Sequence, residues 1–88
     1  MVEHSIVSIL WRDHVHVERS PMVKNPDKEI TLTLSVGILY KETKKTITLV
    51  SEVERYSDKD DVTYLIILKD AVEAVKEYGK IKLKKLQT

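Results

Sequence analysis

The pattern of hydrophobic and polar positions is most regular between residues 30 and 53. Hydrophobic residues recur at every second position of the first half, whereas the positions between them are mostly small or polar. Successive side chains of a strand point to opposite faces, so this alternation predicts a long strand with one buried face. The residues expected on that face are Ile30, Leu32, Leu34, Val36, Ile38 and Tyr40. A charged break at 41–45 precedes a second alternating stretch, Ile47 to Val53, and the two together predict a β-hairpin.

Further strands are expected on both sides of this hairpin. Residues 6–17 predict a first strand with Val7, Ile9 and Trp11 on one face, and the apolar run 62–68 predicts a central strand between charged segments. Residues 18–28 contain both prolines, which lack the amide hydrogen that a sheet needs, so a loop is expected there. The charged residues 57–61 predict a solvated turn. Strands are therefore expected near 6–17, 30–40, 46–56 and 62–69, with one more in the C-terminal third.

The segment 70–78 has two interpretations. Asp70 and Glu73 have the spacing of a capping box, and Gly79 would suit the end of a short helix. In that case residues 81–86 form the last strand. Local propensity favours this helix of about two turns. The alternative is a strand that begins soon after residue 70.

Composition narrows the possible classes of protein. The 88 residues are expected to form a single domain, 1–88, whose small core would benefit from oligomerisation. The net charge of +1 gives no bulk attraction to nucleic acid or to an anionic membrane. No apolar run approaches a membrane span, and the N-terminus lacks the features of a signal peptide, so a cytoplasmic location is expected. Cysteine is absent and the only glycines are Gly37 and Gly79, so we expect no enzyme activity and no cofactor.

A few side chains are candidates for binding. His14 and His16 would lie on one face of a strand and could contribute to a metal site, although two ligands are too few and two exposed histidines are the simpler reading. Trp11 could stack on a base, but a core or interface anchor is the favoured role. The basic C-terminal run could contact phosphates, or it could keep an edge strand from aggregating. The candidates for nucleic-acid contact are Trp11, Lys69, Lys82, Lys84 and Lys85. Gly37 inside a strand predicts a sharp bend or a bulge.

Two stretches, VSILWRDH at 7–14 and LSVGILYKETKKTITLVSEV at 34–53, resemble a family of small, mostly uncharacterised bacterial and phage proteins. Its members begin V-x-V-x-W-x-D, continue with S-x-G-x-L-x-x-E and end in an apolar strand followed by I-P-K-x-x-I-x-x-I-x-x-L. Residues 67–69, Val72, Val75 and Tyr78 match that ending in spacing, with Leu68 in place of the proline and Tyr78 in place of the leucine.

The same residues are similar to the Sm-like RNA-binding family, whose fold is a strongly bent five-stranded barrel that assembles into rings of six or seven subunits. Val36, Gly37 and Leu39 match the opening of its first motif, but the expected Asp and Asn are missing from 42–47. Leu68, Lys69 and Ala71 replace the Arg, Gly and Asn of its second motif. The resemblance therefore implies the fold more than RNA binding. It also implies that Val72 to Tyr78 form a short 3₁₀ turn leading into the last strand rather than a helix. On that ground we favour the strand, because tertiary contacts often override helix propensity.

The favoured hypothesis is a mainly β, Sm-like or SH3-like barrel that forms a homo-oligomer and serves as a non-catalytic binding or scaffolding module. An Sm-type RNA-binding protein and a metal protein using His14 and His16 are the alternatives. In the favoured hypothesis the apolar strand 62–68 pairs with the C-terminal strand of the next copy in a ring. The interface would contain Tyr64, Ile66, Leu68, Val72 and Val75.

Overall fold

Five antiparallel strands form one sheet in the computed structural model, which describes residues 1–13 and 31–87. The strands are β1 (Val2–Asp13), β2 (Thr31–Glu42), β3 (Thr46–Arg55), β4 (Asp60–Leu68) and β5 (Val72–Leu83). Their order across the sheet is β4-β3-β2-β1-β5, so β4 and β5 are the two outer strands. The expected mainly β fold with five strands is confirmed. The predicted loop 18–28 and the end of the predicted first strand lie outside the described residues.

The segment 70–78 is a strand for most of its length, and the helical interpretation is wrong. A 3₁₀ turn at Lys69–Ala71 leads directly into β5, which pairs with β1 in the register Ile9↔Val75 and Leu10↔Ala74. The capping-box residues have other partners: Arg12 pairs through Nε with Glu73 at 2.7 Å and donates from Nη2 to the carbonyl oxygen of Asp70 at 2.6 Å. Pairing with β1 gives this segment backbone hydrogen-bond partners along its length, whereas a two-turn helix leaves about four N–H and four C=O groups without intrahelical partners.

The connection between β4 and β5 shows that the sheet is strongly curved. These strands lie at opposite edges, yet only the three residues Lys69–Ala71 join them. Opposite edges of a flat five-stranded sheet would be about 19 Å apart. A link of that length reaches no further than about 15 Å. The ladders of the described residues do not join β4 to β5, so the sheet is curved but not closed, and a barrel is not confirmed.

The hydrophobic core occupies the concave side of this curved sheet. Its buried side chains come from three strands, with further residues packed against them. Two register pairs, Ile47↔Ile67 and Leu49↔Leu65, place the β3 and β4 members on the same side. The buried cluster is Val7, Ile9, Ile47, Leu49 and Ile67, and the partly buried residues against it are Trp11, Leu39 and Val72.

The expected buried face of β2 is wrong for the first half of the strand, whereas Ile38 and Tyr40 in the second half are partly buried and Ile30 lies outside the described residues. Leu32, Leu34 and Val36 are 57%, 64% and 57% exposed, and they lie on the outer face, which we define as the convex side opposite the core. The core side of this stretch carries the smaller residues between them, since Gly37 pairs with Val7 and Ser35 with the buried Ile9. The sheet bends toward that side because small side chains permit a close approach of β3.

Gly37 allows this approach, although it is not itself the bulge. A β-carbon at Gly37 would lie only 2.5 Å from the carbonyl oxygen of Val50. The bulge between β2 and β3 comes later, between Leu39 and Lys41, and it shifts the register by one residue. The predicted bend at Gly37 therefore takes the form of a close backbone contact, with the bulge next to it.

Candidate binding groove under the C-terminal segment

The residues after β5 extend from that outer strand to the first residue of the opposite outer strand, β4. The backbone N–H of Asp60 donates to the carbonyl oxygen of Gln87 at 2.9 Å, and the N–H of Gln87 donates to Oδ2 of Asp60 at 2.7 Å. Arg55 adds two bonds, from Nη1 to Oδ2 of Asp60 at 3.0 Å and from Nη2 to the carbonyl oxygen of Lys84 at 2.9 Å. The C-terminal segment 84–87 is thereby fixed to the start of β4.

Asp60 is the centre of this network and was not expected to be structural. The charged residues 57–61 predicted a solvated turn, but the Asp60 side chain is only 1% exposed and the residue begins β4. A buried carboxylate requires compensating charge and hydrogen-bond donors. The guanidinium of Arg55 and the backbone N–H of Gln87 supply them. The predicted turn is therefore wrong at its last two residues, where β4 has already begun, and only Asp60 of the two is buried.

Leu86 is held against the outer face by this network, and a groove remains between it and the sheet. Leu86 is only 8% exposed, although it belongs to no strand. The groove has a volume of about 210 Å³ and its exposed walls consist of carbon atoms. We call it the Leu86 groove, and its lining residues are Tyr40, Lys41, Thr48, Val50, Val62, Tyr64 and Leu86.

A second cavity opens on the other side of the same segment and carries most of the charge. Its volume is about 390 Å³, and it shares Tyr40, Lys41 and Leu86 with the groove. The ring of His4 stacks on Tyr40, with 5.3 Å between the ring centroids. We call it the lysine cavity, and its lining residues are Val2, His4, Tyr40, Lys41, Leu83, Lys84, Lys85 and Leu86.

The candidates for nucleic-acid contact do not form one surface. Trp11 packs against the core and donates from its indole N–H to Oγ of Ser35 at 3.0 Å, which suits the favoured role of a core anchor. Lys69 lies in the 3₁₀ turn and pairs with Glu42 at 2.6 Å. Lys82 is exposed on β5, whereas Lys84 and Lys85 line the lysine cavity. The structure therefore brings together only the last two lysines of this set.

The candidate interface residues differ in exposure. Tyr64, Ile66 and Leu68 project from the outer face of β4 with 60%, 56% and 59% of their surface exposed. Val75 on β5 is 50% exposed, whereas Val72 is partly buried against the core of its own chain. Sequence reasoning missed the groove because its parts, above all Tyr40, Val62 and Leu86, are distant along the chain.

The metal candidates His14 and His16 lie outside the described residues. Within residues 1–13 and 31–87 no group of three or more histidine, cysteine or acidic side chains is arranged to hold a metal ion. The same part of the chain contains no helix that is long and apolar enough to cross a membrane.

Comparison of the chain with protein-family models, with curated proteins and with solved structures finds no match. The resemblance to the Sm-like family accordingly rests on the residue patterns given above and stays a prediction.

Proposed function

We propose that this chain is a non-catalytic module that assembles with further copies of itself through the edges of its sheet. In the assembled form it would act as a binding or scaffolding module. The observation that carries the proposal is the sheet order, which leaves β4 and β5 as outer strands. An outer strand presents unpaired backbone N–H and C=O groups, which favour pairing with another chain.

The β4 edge has little protection against such pairing. Residues 62–68 contain no charged side chain, and the outer-face residues Tyr64, Ile66 and Leu68 are all more than half exposed. Proteins usually protect a free edge with lysine, proline or a bulge. An apolar edge of this length is more consistent with a surface that is covered by a partner.

The β5 edge differs in character, and this difference favours a head-to-tail arrangement. Charged side chains such as Lys76, Glu77 and Lys80 alternate along it with apolar ones such as Val75 and Tyr78. Two β4 edges would place two apolar strands together and leave both β5 edges free, whereas β4 against the β5 of the next copy uses both edges. A head-to-tail contact closes into a ring when its rotation permits. The resemblance to Sm-like proteins implies the same arrangement.

The test compares two lysine substitutions at residues of equal exposure. Ile66 on the outer strand β4 is 56% exposed, and Val36 on the inner strand β2 is 57% exposed on the same face. If the copies pair edge to edge, Ile66→Lys should lower the assembled fraction in size-exclusion chromatography with light scattering, whereas Val36→Lys should not. The oligomer should also persist on dilution to about micromolar concentration.

Two results would contradict the proposal. A wild-type chain that stays monomeric at about millimolar concentration would show that the apolar β4 edge does not mediate self-assembly. Equal loss of assembly in both variants would indicate that copies stack through their outer faces rather than through their edges.

A further inference from the structure

The Leu86 groove and the lysine cavity meet at shared residues, so that a hydrocarbon surface lies next to a cluster of positive charge. Tyr40, Lys41 and Leu86 line both of them. Lys84 and Lys85 complete the cationic side, and the ion pairs of the described residues involve neither of them nor Lys41. We propose that this site binds a small organic carboxylate, with its hydrocarbon body in the groove and its carboxylate among the three lysines.

The size of the groove suits one ring or a short alkyl chain. A cavity of about 150 Å³ in another protein is large enough to bind benzene. The Leu86 groove, at about 210 Å³, exceeds that volume modestly. It is smaller than the roughly 300–1,000 Å³ of sites that enclose drug-sized ligands, so the apolar part of the ligand is small.

The chemistry of the walls favours a hydrocarbon over a nucleobase. Carbon atoms of residues such as Val50, Val62 and Leu86 form the exposed walls of the groove. The ring nitrogens and carbonyl oxygens that a base presents to these walls would find no hydrogen-bond partner there, which disfavours a base. A phenyl or alkyl group has no such polar atoms.

The positive charge of the lysines indicates that the polar end of the ligand is an anion. Lys41 belongs to the bulge of β2, and Lys84 and Lys85 belong to the segment fixed by Asp60, so all three are attached to ordered backbone. Among the described residues that line the two cavities, none is acidic. An anion is therefore attracted at one end of the groove only, which fixes the orientation of an amphiphilic ligand.

The test is a titration of the full chain with phenylpropionate, followed by NMR of the backbone amides. We expect the largest shifts at Tyr40, Val50, Val62 and Leu86. The uncharged analogue phenylpropanol should bind about fivefold more weakly, since it forms no ion pair with the lysines. The double variant Lys84→Gln/Lys85→Gln should weaken phenylpropionate by a similar factor. Its matched control is Lys44→Gln/Lys45→Gln, which removes the same charge from the exposed hairpin turn and should bind like the wild type.

Several outcomes would overturn the proposal. Equal affinity for phenylpropanol would show that the lysines do not select an anion, and tighter binding of uridine monophosphate would identify a nucleotide site instead. Shifts centred on Leu32 and Leu34 would indicate association with the exposed outer face of β2. The absence of any shift at about 10 mM would show that the groove does not bind this class of ligand. None of these outcomes depends on the oligomeric state, which is measured separately.

Discussion

Asp60 and Gln87 exchange two hydrogen bonds. Each residue donates its backbone N–H to the other, at 2.9 Å to the Gln87 carbonyl and at 2.7 Å to the Asp60 carboxylate. These bonds join the first residue of one outer strand to the segment that follows the other. They hold Leu86 on the outer face and so create the groove beneath it.

Replacing Asp60 with Asn should destabilise the fold. The asparagine side chain lacks the negative charge of the Asp60 carboxylate, which accepts hydrogen bonds from Arg55 and from the backbone N–H of Gln87. The site is buried, since the Asp60 side chain is only 1% exposed. We expect a loss of about 1–3 kcal/mol in the free energy of unfolding, measured in urea. Asp58→Asn, in the exposed turn before β4, is the control and should change stability by less than about 0.5 kcal/mol. Equal stability of both variants would show that the network does not hold the C-terminal segment.

Gly37→Ala should destabilise the sheet through a steric clash. The new methyl group would lie 2.5 Å from the carbonyl oxygen of Val50 and 3.1 Å from Cγ of Leu49, so β3 would have to move away from β2. Overpacking of this kind costs about 1–3 kcal/mol. The control is Val36→Ala, whose side chain points to the outer face and is 57% exposed. A Gly37→Ala variant with wild-type thermal stability would contradict the close approach of the two strands.

Tyr56 should titrate at higher pH than an ordinary tyrosine. Its hydroxyl donates to Oε2 of Glu54 at 2.8 Å, and this bond, followed by slight desolvation and the charge of Asp61, raises the pKa of Tyr56 above 10.0. Because the pKa is higher in the folded chain, the associated stability is present below pH 10 and is lost as the pH rises through the folded value. Glu54→Ala should lower the pKa of Tyr56, whereas Glu52→Ala, on the same strand, should not.

The measurement for Tyr56 is the ultraviolet absorption of the phenolate during a pH titration. Subtracting the titration of a Tyr56→Phe variant isolates this tyrosine from the other three in the chain. An unchanged titration curve in Glu54→Ala would show that the hydrogen bond is absent in solution.

Tight, uridine-specific RNA binding is not expected. The Sm-like resemblance places base-holding polar groups where this chain has Ile47, Leu68 and Ala71. Of these, Ile47 is only 6% exposed and Ala71 only 4%. A lost base contact reduces discrimination by about 1–3 kcal/mol. Filter binding with oligo(U) at physiological salt should therefore give no submicromolar complex, with a uridine-binding Sm protein as the positive control. Submicromolar binding would show that RNA uses another surface of this chain.

The sequence by itself determined where the strands lie. The alternation in 30–40 and 47–53, the charged break at 41–45 and the apolar run at 62–68 agree with β2, β3 and β4 to within about two residues at most ends. Local patterns suffice for this because the two-residue period of a strand and the polarity of a turn are properties of neighbouring residues.

Only the tertiary structure decided which face of each strand is buried. Alternation shows that a strand has two faces, but the bulkier face of the first half of β2 is the exposed one, because Gly37 and its small neighbours let β3 approach from the other side. The segment 70–78 became a strand because β1 offered it backbone partners and Arg12 engaged the residues of its capping box. Asp60 does not differ from its charged neighbours in the sequence, and it is buried because Gln87, which is distant in sequence, forms hydrogen bonds with it. These outcomes depend on contacts between distant residues, and no local pattern encodes them.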